Sequence, residues 1–496
     1  MLLAVDQGTT NTKALLIDRG GATVFRAASS APLQCSPAGE ISQDPEALWA
    51  STLEVIRASL EYAKAAGDRI DGLCLANQRE TALAWDRITG QPLAQAISWQ
   101  CRRSANICVD VSTFAAEIQQ KTGLPLDPLL SATKWVWMLR NEPRVQDATR
   151  AGTLALGTVD SWLLYRITGG QVHATDATNA SRTGLLNLES VCWDESLLGV
   201  FELREEWLPQ VMPSASTFGV MDSSLGFGEI PIVAIAGDSH AAMLGHADLQ
   251  AGALKATYGT GSSLMALTAG MPQKSEHLAR TVAWTVPAKD LQAGTQYALE
   301  GNITMSGAAL EWVGQFLGLG DPASEAAQLA EQVSDADGLM FVPAMAGLGA
   351  PHWKARAAGS ITGLRSHHRA AHMARAALDA IAMQVADVVD AMREEGRIEP
   401  ERLLADGGAT RNAMLMQLQA DALGVPVQRS LQEELSALGA ARLGGLTLQF
   451  WPDLASAHVL DRGAETFAPK LAEEDREAKR AAWQMALRRT LLEVQA

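Results

Sequence analysis

A carboxylate placed shortly before a glycine- and threonine-rich turn is a combination that could transfer a phosphoryl group. The apolar segment 231–237 leads into Asp238, and a second β-like run leads into Gly259-Thr260-Gly261-Ser262. Glycines allow backbone N–H groups to approach phosphate oxygens, and threonine adds a hydroxyl donor. Asp238 could then be a general base beside a phosphate-binding turn. Each feature alone has a simpler interpretation, a helix N-cap for the aspartate and a plain hairpin for the turn.

The N-terminus repeats this arrangement. Apolar LLAVD is followed by the polar turn QGTTNT, and KALLID returns as a strand. Asp6, at the end of the first strand, stands beside Thr9, Thr10 and Asn11. A carboxylate next to a phosphate-binding turn can hold Mg²⁺ through water, or it can simply cap the turn. The repeated device predicts two related lobes that share a nucleotide.

A third group of residues could bind a polyol. The buried strand predicted over 70–76 runs into Arg79 and Glu80, which can donate to and accept from hydroxyl groups. Trp99 would add an aromatic wall. The alternatives are a surface salt bridge for the charged pair and an ordinary core position for the tryptophan.

The second half contains further glycine-rich loops. A helix is predicted over 307–316, and a strand ends at Gly407-Gly408 before another helix. Two glycines at such a turn let a ribose or a base lie against backbone, with Asn412 one turn later as a partner. A tight β–α turn is the alternative.

Other segments are predicted to serve the fold. The small-residue helix 437–446 suits close packing, and the charged tail from Pro469 is predicted to be a solvated helix. One polar group is predicted to order a loop: Asp176, Thr178, Asn179, Ser181 and Arg182.

Bulk properties restrict the class of protein. At 496 residues, at least two domains are expected. A net charge of −16 argues against nucleic acid or an anionic membrane as the main partner. The five cysteines lack metal-ligand spacing, no apolar run is long enough to span a membrane, and no signal-peptide pattern opens the chain. These features predict a cytoplasmic protein.

Taken in order, these loops resemble those of the FGGY family of carbohydrate kinases, and most of all its glycerol-kinase branch. The resemblance runs almost from end to end. It is carried by DQGTTNTK (6–13), NQRET (77–81), WQCRR (99–103), SATK (131–134), GTVDSWL (157–163), TNASRT (178–183), AGDSHAAMLG (236–245), YGTGS (258–262), LEG (299–301), GLGAPHW (347–353), DGGATRN (406–412) and ALGAA (437–441).

The resemblance implies an α/β fold of two actin-like (ribonuclease H-like) ATPase lobes with an active-site cleft between them. Residues 1–243 would bind the acceptor and carry the Mg²⁺ and phosphate loop, and 244–496 would bind ATP. The enzyme would phosphorylate a hydroxyl of a small, glycerol-like polyol or sugar. The family is commonly dimeric or tetrameric.

The same resemblance assigns roles to individual residues. Asp238 would be the general base and Asp6 would organise Mg²⁺. The polyol would meet Arg79, Glu80, Trp99, Asp238 and Ser239. The transferring phosphate would meet Thr9, Thr10 and Asn11, the other nucleotide phosphates Gly259, Thr260, Gly307 and Glu311, and the adenosine Gly408 and Asn412.

The chain also departs from the glycerol-kinase pattern. Leu129 stands where a tyrosine is typical and Ser263 where a phenylalanine is typical, while Ser239 and Glu311 each replace a glutamine. Loss of aromatic bulk at two positions favours a larger acceptor, such as a four- or five-carbon polyol or ketose. An actin-like ATPase sensor without a small acceptor is the alternative from another class, and a catalytically dead paralogue is a third.

Overall fold

The computed structural model describes residues 1–246, 249–354, 356–454, 456–457 and 463–492. They form two compact units, each assembled from separate chain segments. Unit 1 comprises Met1–Leu249, Arg280–Tyr297 and Glu434–Asp461. Unit 2 comprises Gln250–Ala279, Ala298–Glu433 and Arg462–Ala496.

The strands are β1 (Leu2–Gln7), β2 (Asn11–Ile17), β3 (Thr23–Ser30), β4 (Gln34–Cys35), β5 (Ile41–Gln43), β6 (Gly72–Asn77), β7 (Ala82–Asp86), β8 (Ala96–Ile97), β9 (Leu154–Thr158), β10 (Ala174–Asp176), β11 (Leu186–Asn187), β12 (Cys192–Trp193), β13 (Gln210–Met212), β14 (Gly219–Val220), β15 (Pro231–Gly237), β16 (Leu254–Tyr258), β17 (Ser262–Leu267), β18 (Ala279–Thr285), β19 (Thr295–Ile303), β20 (Met340–Val342), β21 (Ser360–Thr362), β22 (Leu403–Asp406), β23 (Val427–Ser430) and β24 (Ala464–Phe467).

The α-helices are α1 (Pro45–Ala65), α2 (Ala105–Asp110), α3 (Ala115–Thr122), α4 (Ser131–Asn141), α5 (Pro143–Ala151), α6 (Val159–Ile167), α7 (Ala177–Ala180), α8 (Glu195–Val200), α9 (Asp238–Gly245), α10 (Gly307–Phe316), α11 (Pro322–Ala330), α12 (Ala370–Gly396), α13 (Ala413–Leu423), α14 (Leu435–Thr447) and α15 (Glu473–Leu492).

Unit 1 is built on a sheet with the strand order β14-β15-β6-β1-β2-β3. Strands β1, β2 and β3 run antiparallel in succession, β1, β6 and β15 run parallel, and β14 is antiparallel to β15. The parallel strands are buried on both faces, which explains their nearly continuous apolar sequences. A second sheet of this unit has the order β4-β5-β8-β7-β9.

Unit 2 repeats the same strand pattern. Six neighbouring strands of a seven-stranded sheet follow the order β19-β17-β16-β22-β23-β24. Strands β16, β17 and β19 run antiparallel, β16, β22 and β23 run parallel, and β24 is antiparallel to β23. Each strand of this series has a counterpart in unit 1 by position and direction, although β24 follows β23 in the chain whereas β14 precedes β15. The predicted relationship between the two halves is therefore confirmed for the spatial pattern of strands.

Helix α12 forms the centre of the core of unit 2, and the terminal helix α15 docks against it. Asp387 of α12 is buried and accepts hydrogen bonds from Arg480 Nη2 at 2.8 Å and from Trp483 Nε1 at 2.7 Å. The expectation of a solvated tail is therefore wrong for one face of α15, because Trp483 is almost wholly buried.

Helix α14 packs directly on α9 within unit 1. A Cβ placed on Gly439 would overlap the carbonyl oxygen of Ala241, and one on Gly245 would overlap that of Leu435. Glycine is required at both positions because the two backbones touch. The predicted close-packing role of this small-residue helix is confirmed. Asp238 is the first residue of α9 and Glu434 immediately precedes α14.

Among the helices that the structure describes, none is long and apolar enough to cross a membrane.

Replacement of Gly439 by alanine is expected to destabilise the protein by about 3 kcal/mol, because the added methyl group meets backbone that cannot move aside as a side chain could. Thermal unfolding measures the effect. Gly199→Ala is the matched control: this helical glycine has open space around its Cβ position, so stability should stay unchanged or rise slightly. Equal melting temperatures for the two variants would contradict the importance of the α9–α14 contact.

Candidate active site

The turn between β1 and β2 carries the first predicted group. The amide of Gly8 donates to the carbonyl oxygen of Asn11 at 3.0 Å, which closes the turn and leaves Thr10 and Asn11 exposed. The strand register places Asp6 directly opposite Lys13. Directly opposed residues share one face of a sheet, so the carboxylate and the lysine lie side by side.

A network of buried glutamine side chains contacts the backbone of this turn. Gln78 Nε2 donates to Gln7 Oε1 at 3.1 Å and to Gln43 Oε1 at 2.9 Å. Gln43 Nε2 in turn donates to the carbonyl oxygen of Thr9 at 2.7 Å, and Thr81 Oγ1 donates to Gln78 Oε1 at 2.9 Å. Because these amides are buried and hydrogen-bonded, the backbone of the turn is held in a single conformation.

Asp238 lies at the first position of α9, with Gly237 as the N-cap. Its Oδ1 accepts from the Ser239 amide at 2.6 Å and lies 3.4 Å from Arg79 Nε. The side chain stays 34% exposed, whereas Arg79 is buried. A Cβ on Gly237 would lie 2.7 Å from Arg79 Cδ, so the glycine makes room for the arginine. Asp238 is thus held by a cation and remains accessible.

Arg79 and Glu80 follow β6, and the structure does not place them in a surface salt bridge with each other. Glu80 Oε1 accepts from Arg182 Nε at 2.7 Å, and these two side chains are 6% and 2% exposed. Glu80 has a φ of 59°, which is uncommon for a residue with a side chain. A buried ion pair beside a strained backbone is typical of functional sites.

Trp99 links Thr81, which follows Arg79 and Glu80 in the chain, to the turn between β1 and β2. Its Nε1 donates to Thr9 Oγ1 at 3.0 Å and its amide donates to Thr81 Oγ1 at 3.1 Å. The indole is only partly buried. It therefore differs from an ordinary core tryptophan, which was the alternative interpretation.

The pKa of Asp6 depends in part on Glu434, a residue that the sequence analysis did not single out. Lys13 Nζ lies 3.1 Å from both carboxylate oxygens of Glu434. Burial, and then the nearby charges of Asp238 and Glu434, raise the pKa of Asp6 to about 8, while Lys13 opposes the shift. Oδ1 of Asp6 is buried and has no hydrogen-bond partner among the described residues.

This set of donors fits a hard divalent cation. Carboxylate oxygens are the preferred ligands of Mg²⁺, often through retained water molecules. A cation here would give the buried oxygen of Asp6 a partner and would offset the repulsion between the three carboxylates. Only Glu434 lacked a recognisable signal, since nothing but its place before the small-residue helix distinguishes it.

Two more buried charges support the acceptor region. Arg182 was grouped with residues that order a loop, and it is also the partner of Glu80. Lys134, in the first turn of α4, is fully buried and donates to the carbonyl oxygen of Leu129. Burial lowers the pKa of Lys134 to about 8, although the charge of Glu80 opposes this. The amide of Leu129 donates to Asp127 Oδ1 at 2.8 Å, so both polar backbone groups of Leu129 are fixed.

Within unit 2, the turn between β16 and β17 contacts the start of α10. The carbonyl oxygen of Gly259 accepts from the Gly307 amide at 3.0 Å, and that of Thr260 accepts from the Ser306 amide at 2.9 Å. A Cβ on Gly307 would lie 2.7 Å from the Gly259 oxygen. Glu311 is one turn further along α10, exposed, and Gln315 Nε2 donates to it at 3.4 Å.

The loop after β22 reaches the same turn. Gly407 has a φ of 94°, and a Cβ there would overlap the backbone of Tyr258. Gly408 is exposed and has open space around its Cβ position. Asn412 Oδ1 accepts from the Leu415 amide at 3.0 Å and caps α13. The structure thus brings Gly259, Thr260, Gly307 and Gly408 together within unit 2.

A histidine cluster elsewhere in unit 2 is a poor metal site. Asp337, His367 and His368 have potential ligand atoms close together. However, His368 Nδ1 accepts from the Arg365 amide at 2.9 Å, so its proton is on Nε2, which faces the carbonyl oxygen of Asp337 at 3.1 Å. A protonated nitrogen cannot ligate a metal.

Two α/β units with one shared strand pattern, each with a Gly/Thr turn between its first two strands, define an actin-like ATPase fold. The model of the FGGY family of carbohydrate kinases matches residues 1–245 with its N-terminal domain and 254–448 with its C-terminal domain. The chain belongs to this family. It is accordingly an ATP-dependent kinase that phosphorylates an alcohol group of a small polyol or sugar.

Individual relatives agree with this assignment. The chain is 42% identical to a glycerol kinase of Burkholderia cenocepacia over 490 residues, which cover 98% of this chain and 97% of that protein. It is also 42% identical to a glycerol kinase of Rhodospirillum centenum over 492 residues, 99% of this chain and 98% of that one. The crystal structure of Plasmodium falciparum glycerol kinase with ADP superposes with a TM-score of 0.91 at 32% identity, over 99% and 98% of the two chains. A xylulose kinase from Rhodospirillum rubrum shares the fold, with a TM-score of 0.87 at 22% identity over 100% and 99% of the two chains.

Asp6 should make the metal-free protein less stable as the pH rises. Between an unfolded pKa of about 3.9 and the folded value of about 8, the folded state holds a proton that the unfolded state releases, so stability falls across this window. Asp6→Asn lacks this dependence. With a chelator present, its melting temperature should gain several degrees on the wild type between pH 5 and pH 8.5. Asp68→Asn, at an exposed loop position, should follow the wild type throughout. Parallel curves for all three proteins would contradict the assignment.

Proposed function

We propose that this kinase phosphorylates a small polyol of the glycerol type, with Asp238 as the general base. The observation that carries the proposal is the pairing of Asp238 Oδ1 with Arg79 Nε at 3.4 Å, while the carboxylate remains 34% exposed. A base helps only if it touches the attacking hydroxyl. An accessible carboxylate fixed beside a polyol-binding arginine meets this requirement.

The acceptor is held by residues of unit 1 with distinct roles. Arg79 donates to hydroxyl oxygens, and Glu80, oriented by Arg182, accepts from hydroxyl groups. Trp99 covers the carbon chain. Ser239, the residue after the base, contacts the substrate from the start of α9. Phosphoryl transfer depends mainly on alignment and on charge stabilisation, and such a fixed set of groups supplies the alignment.

The cofactors are ATP and Mg²⁺. Asp6 organises the cation, which supplies charge neutralisation at the phosphates when it is bound. Thr9, Thr10 and Asn11 donate to the transferring phosphate from the rigid turn. The unpartnered, buried Oδ1 of Asp6 supports this assignment.

The C-terminal part of the chain, 244–496, binds the nucleotide, and 1–243 binds the acceptor. Gly259, Thr260, Gly307 and Glu311 line the phosphates, and Gly408 and Asn412 hold the adenosine. The close contacts between the glycine-rich turn and the start of α10 support the phosphate assignment. We also propose a cytoplasmic homo-oligomer, a dimer or a tetramer. Five free cysteines suit the reducing compartment.

Asp238→Asn tests the catalytic role. Loss of the base should reduce kcat by about 10²- to 10⁴-fold with little change in melting temperature, as measured by ADP release with Mg·ATP and acceptor. Asp68→Asn should retain wild-type turnover. Hydrolysis of ATP that needs no acceptor and survives Asp238→Asn would instead favour the actin-like ATPase sensor.

A larger acceptor is the second candidate, because Leu129 and Ser263 replace the aromatic residues typical of glycerol kinases. The backbone of Leu129 is fixed at both polar groups, so a new side chain there should alter the pocket rather than the loop.

In a panel of glycerol, erythritol, five-carbon polyols and ketoses, at least one longer acceptor should therefore exceed glycerol in kcat/KM. Leu129→Tyr should raise the ratio of kcat/KM for glycerol to kcat/KM for a longer acceptor by about tenfold. This is the order of discrimination expected for one bulky group in a pocket, about tenfold. Val109→Tyr, at an exposed position on α2, is the control and should leave the ranking unchanged. A wild-type enzyme that uses glycerol as well as every longer polyol would end the argument for an enlarged pocket.

A further inference from the structure

Glu434 occupies an unusual place for a helix-capping residue. It is the N-cap of α14, yet its side chain caps no backbone amide of that helix. Instead both carboxylate oxygens lie 3.1 Å from Lys13 Nζ. The carboxylate is 15% exposed and the lysine 41% exposed. The carboxylate of Glu434 therefore does not cap α14 and instead pairs with the ammonium group of Lys13.

Lys13 stands where it could reach a phosphate. It is the third residue of β2, the strand that returns from the turn, and it lies opposite Asp6 in the register. A lysine ammonium beside a phosphate-binding turn attracts phosphate as a point charge. In the pair with Glu434, that charge is already neutralised.

The same carboxylate also adds to the negative charge around Asp6. Asp238 and Glu434 both act on Asp6, and Lys13 and Arg79 are the basic groups paired with these acids. Negatively charged ATP entering without a cation would meet the charges of Asp238 and Glu434 beside a protonated Asp6. ATP that enters together with Mg²⁺ would bring positive charge, which offsets the negative charge of these side chains.

We propose that Glu434 makes ATP binding depend on a divalent cation, by keeping Lys13 neutralised and by adding its own negative charge near Asp6. It is a positioning residue, because it acts through Lys13 and through the charge of the site. The proposal rests on the proposed Mg·ATP function of the Asp6 site. It goes beyond that function in assigning the cation requirement to one side chain outside the recognised motifs.

The test measures ATP affinity of the full-length protein by calorimetry, once with a chelator and once with excess Mg²⁺, without acceptor. Glu434→Gln keeps the size of the side chain and removes its charge. With the chelator present, the Glu434→Gln protein should bind ATP more tightly than the wild type does. The factor by which Mg²⁺ increases ATP affinity should be about tenfold smaller in this variant than in the wild type. Glu433→Gln is the matched control: Glu433 is the exposed neighbour of Glu434 and lies 3.6 Å from Arg411, so this variant should leave both affinities unchanged.

Two further variants separate the proposal from a purely structural role. Glu434→Asp keeps the charge and should retain most of the Mg²⁺ enhancement. Adding Lys13→Met to Glu434→Gln should remove the gain in metal-free affinity, because the released lysine is its source. Melting temperatures of all variants identify any loss of fold.

A Glu434→Gln protein that loses affinity equally with and without Mg²⁺, or that matches the wild type in both, would overturn the proposal. Asp6→Asn distinguishes failure of the underlying function. If that variant keeps the full Mg²⁺ enhancement, the assignment of the cation to Asp6 is wrong, whatever Glu434→Gln does.

Discussion

The direct backbone contact between α9 and α14 fixes the reacting end of unit 1. Both helices carry a site carboxylate at their start, Asp238 on α9 and Glu434 before α14. A helix is rigid over this length, so the approach permitted by Gly439 and Gly245 determines where the two carboxylates lie relative to Asp6. One extra carbon atom at the contact would displace groups that must be aligned within a fraction of an ångström.

The acceptor side of the site relies on buried polarity instead. Glu80 is held by Arg182 and Asp238 by Arg79, while Lys134 fixes the Leu129 carbonyl. Desolvation of such charges costs more than a hydrophobic replacement would. This desolvation cost and the positive φ of Glu80 occur in the same region, and that combination is the reason for proposing a binding role there.

Local sequence predicted the repeated strand-turn-strand device, the small-residue helix and the loops that gather around Gly259, because each depends on residues close in the chain. It could not predict the role of Glu434, because its partner Lys13 is 421 residues away in the chain. Arg182 was visible but assigned only to loop order, since its partner Glu80 is distant in sequence. The docking of α15 was not predicted for the same reason. Arg480 and Trp483 of α15 donate to the distant Asp387, whereas the composition of α15 alone indicates only a solvated surface.

The strand-turn-strand device at the start of each unit is a structural copy of the other, and the two copies can be compared residue by residue. Aligning their first turns places Asp6 of one copy against Thr257 of the other, and Gly8 against Gly259. In the second copy Thr257 accepts a hydrogen bond from the buried Lys255 at 2.8 Å, where the first copy carries an acid. Of these two turns, the one in unit 1 is thus preceded by a carboxylate at this position and the one in unit 2 is not. Two turns with the same backbone pattern therefore differ in charge: the first is preceded by an acid that can offer a ligand to a cation, and the second by a hydroxyl that is already bonded to a lysine.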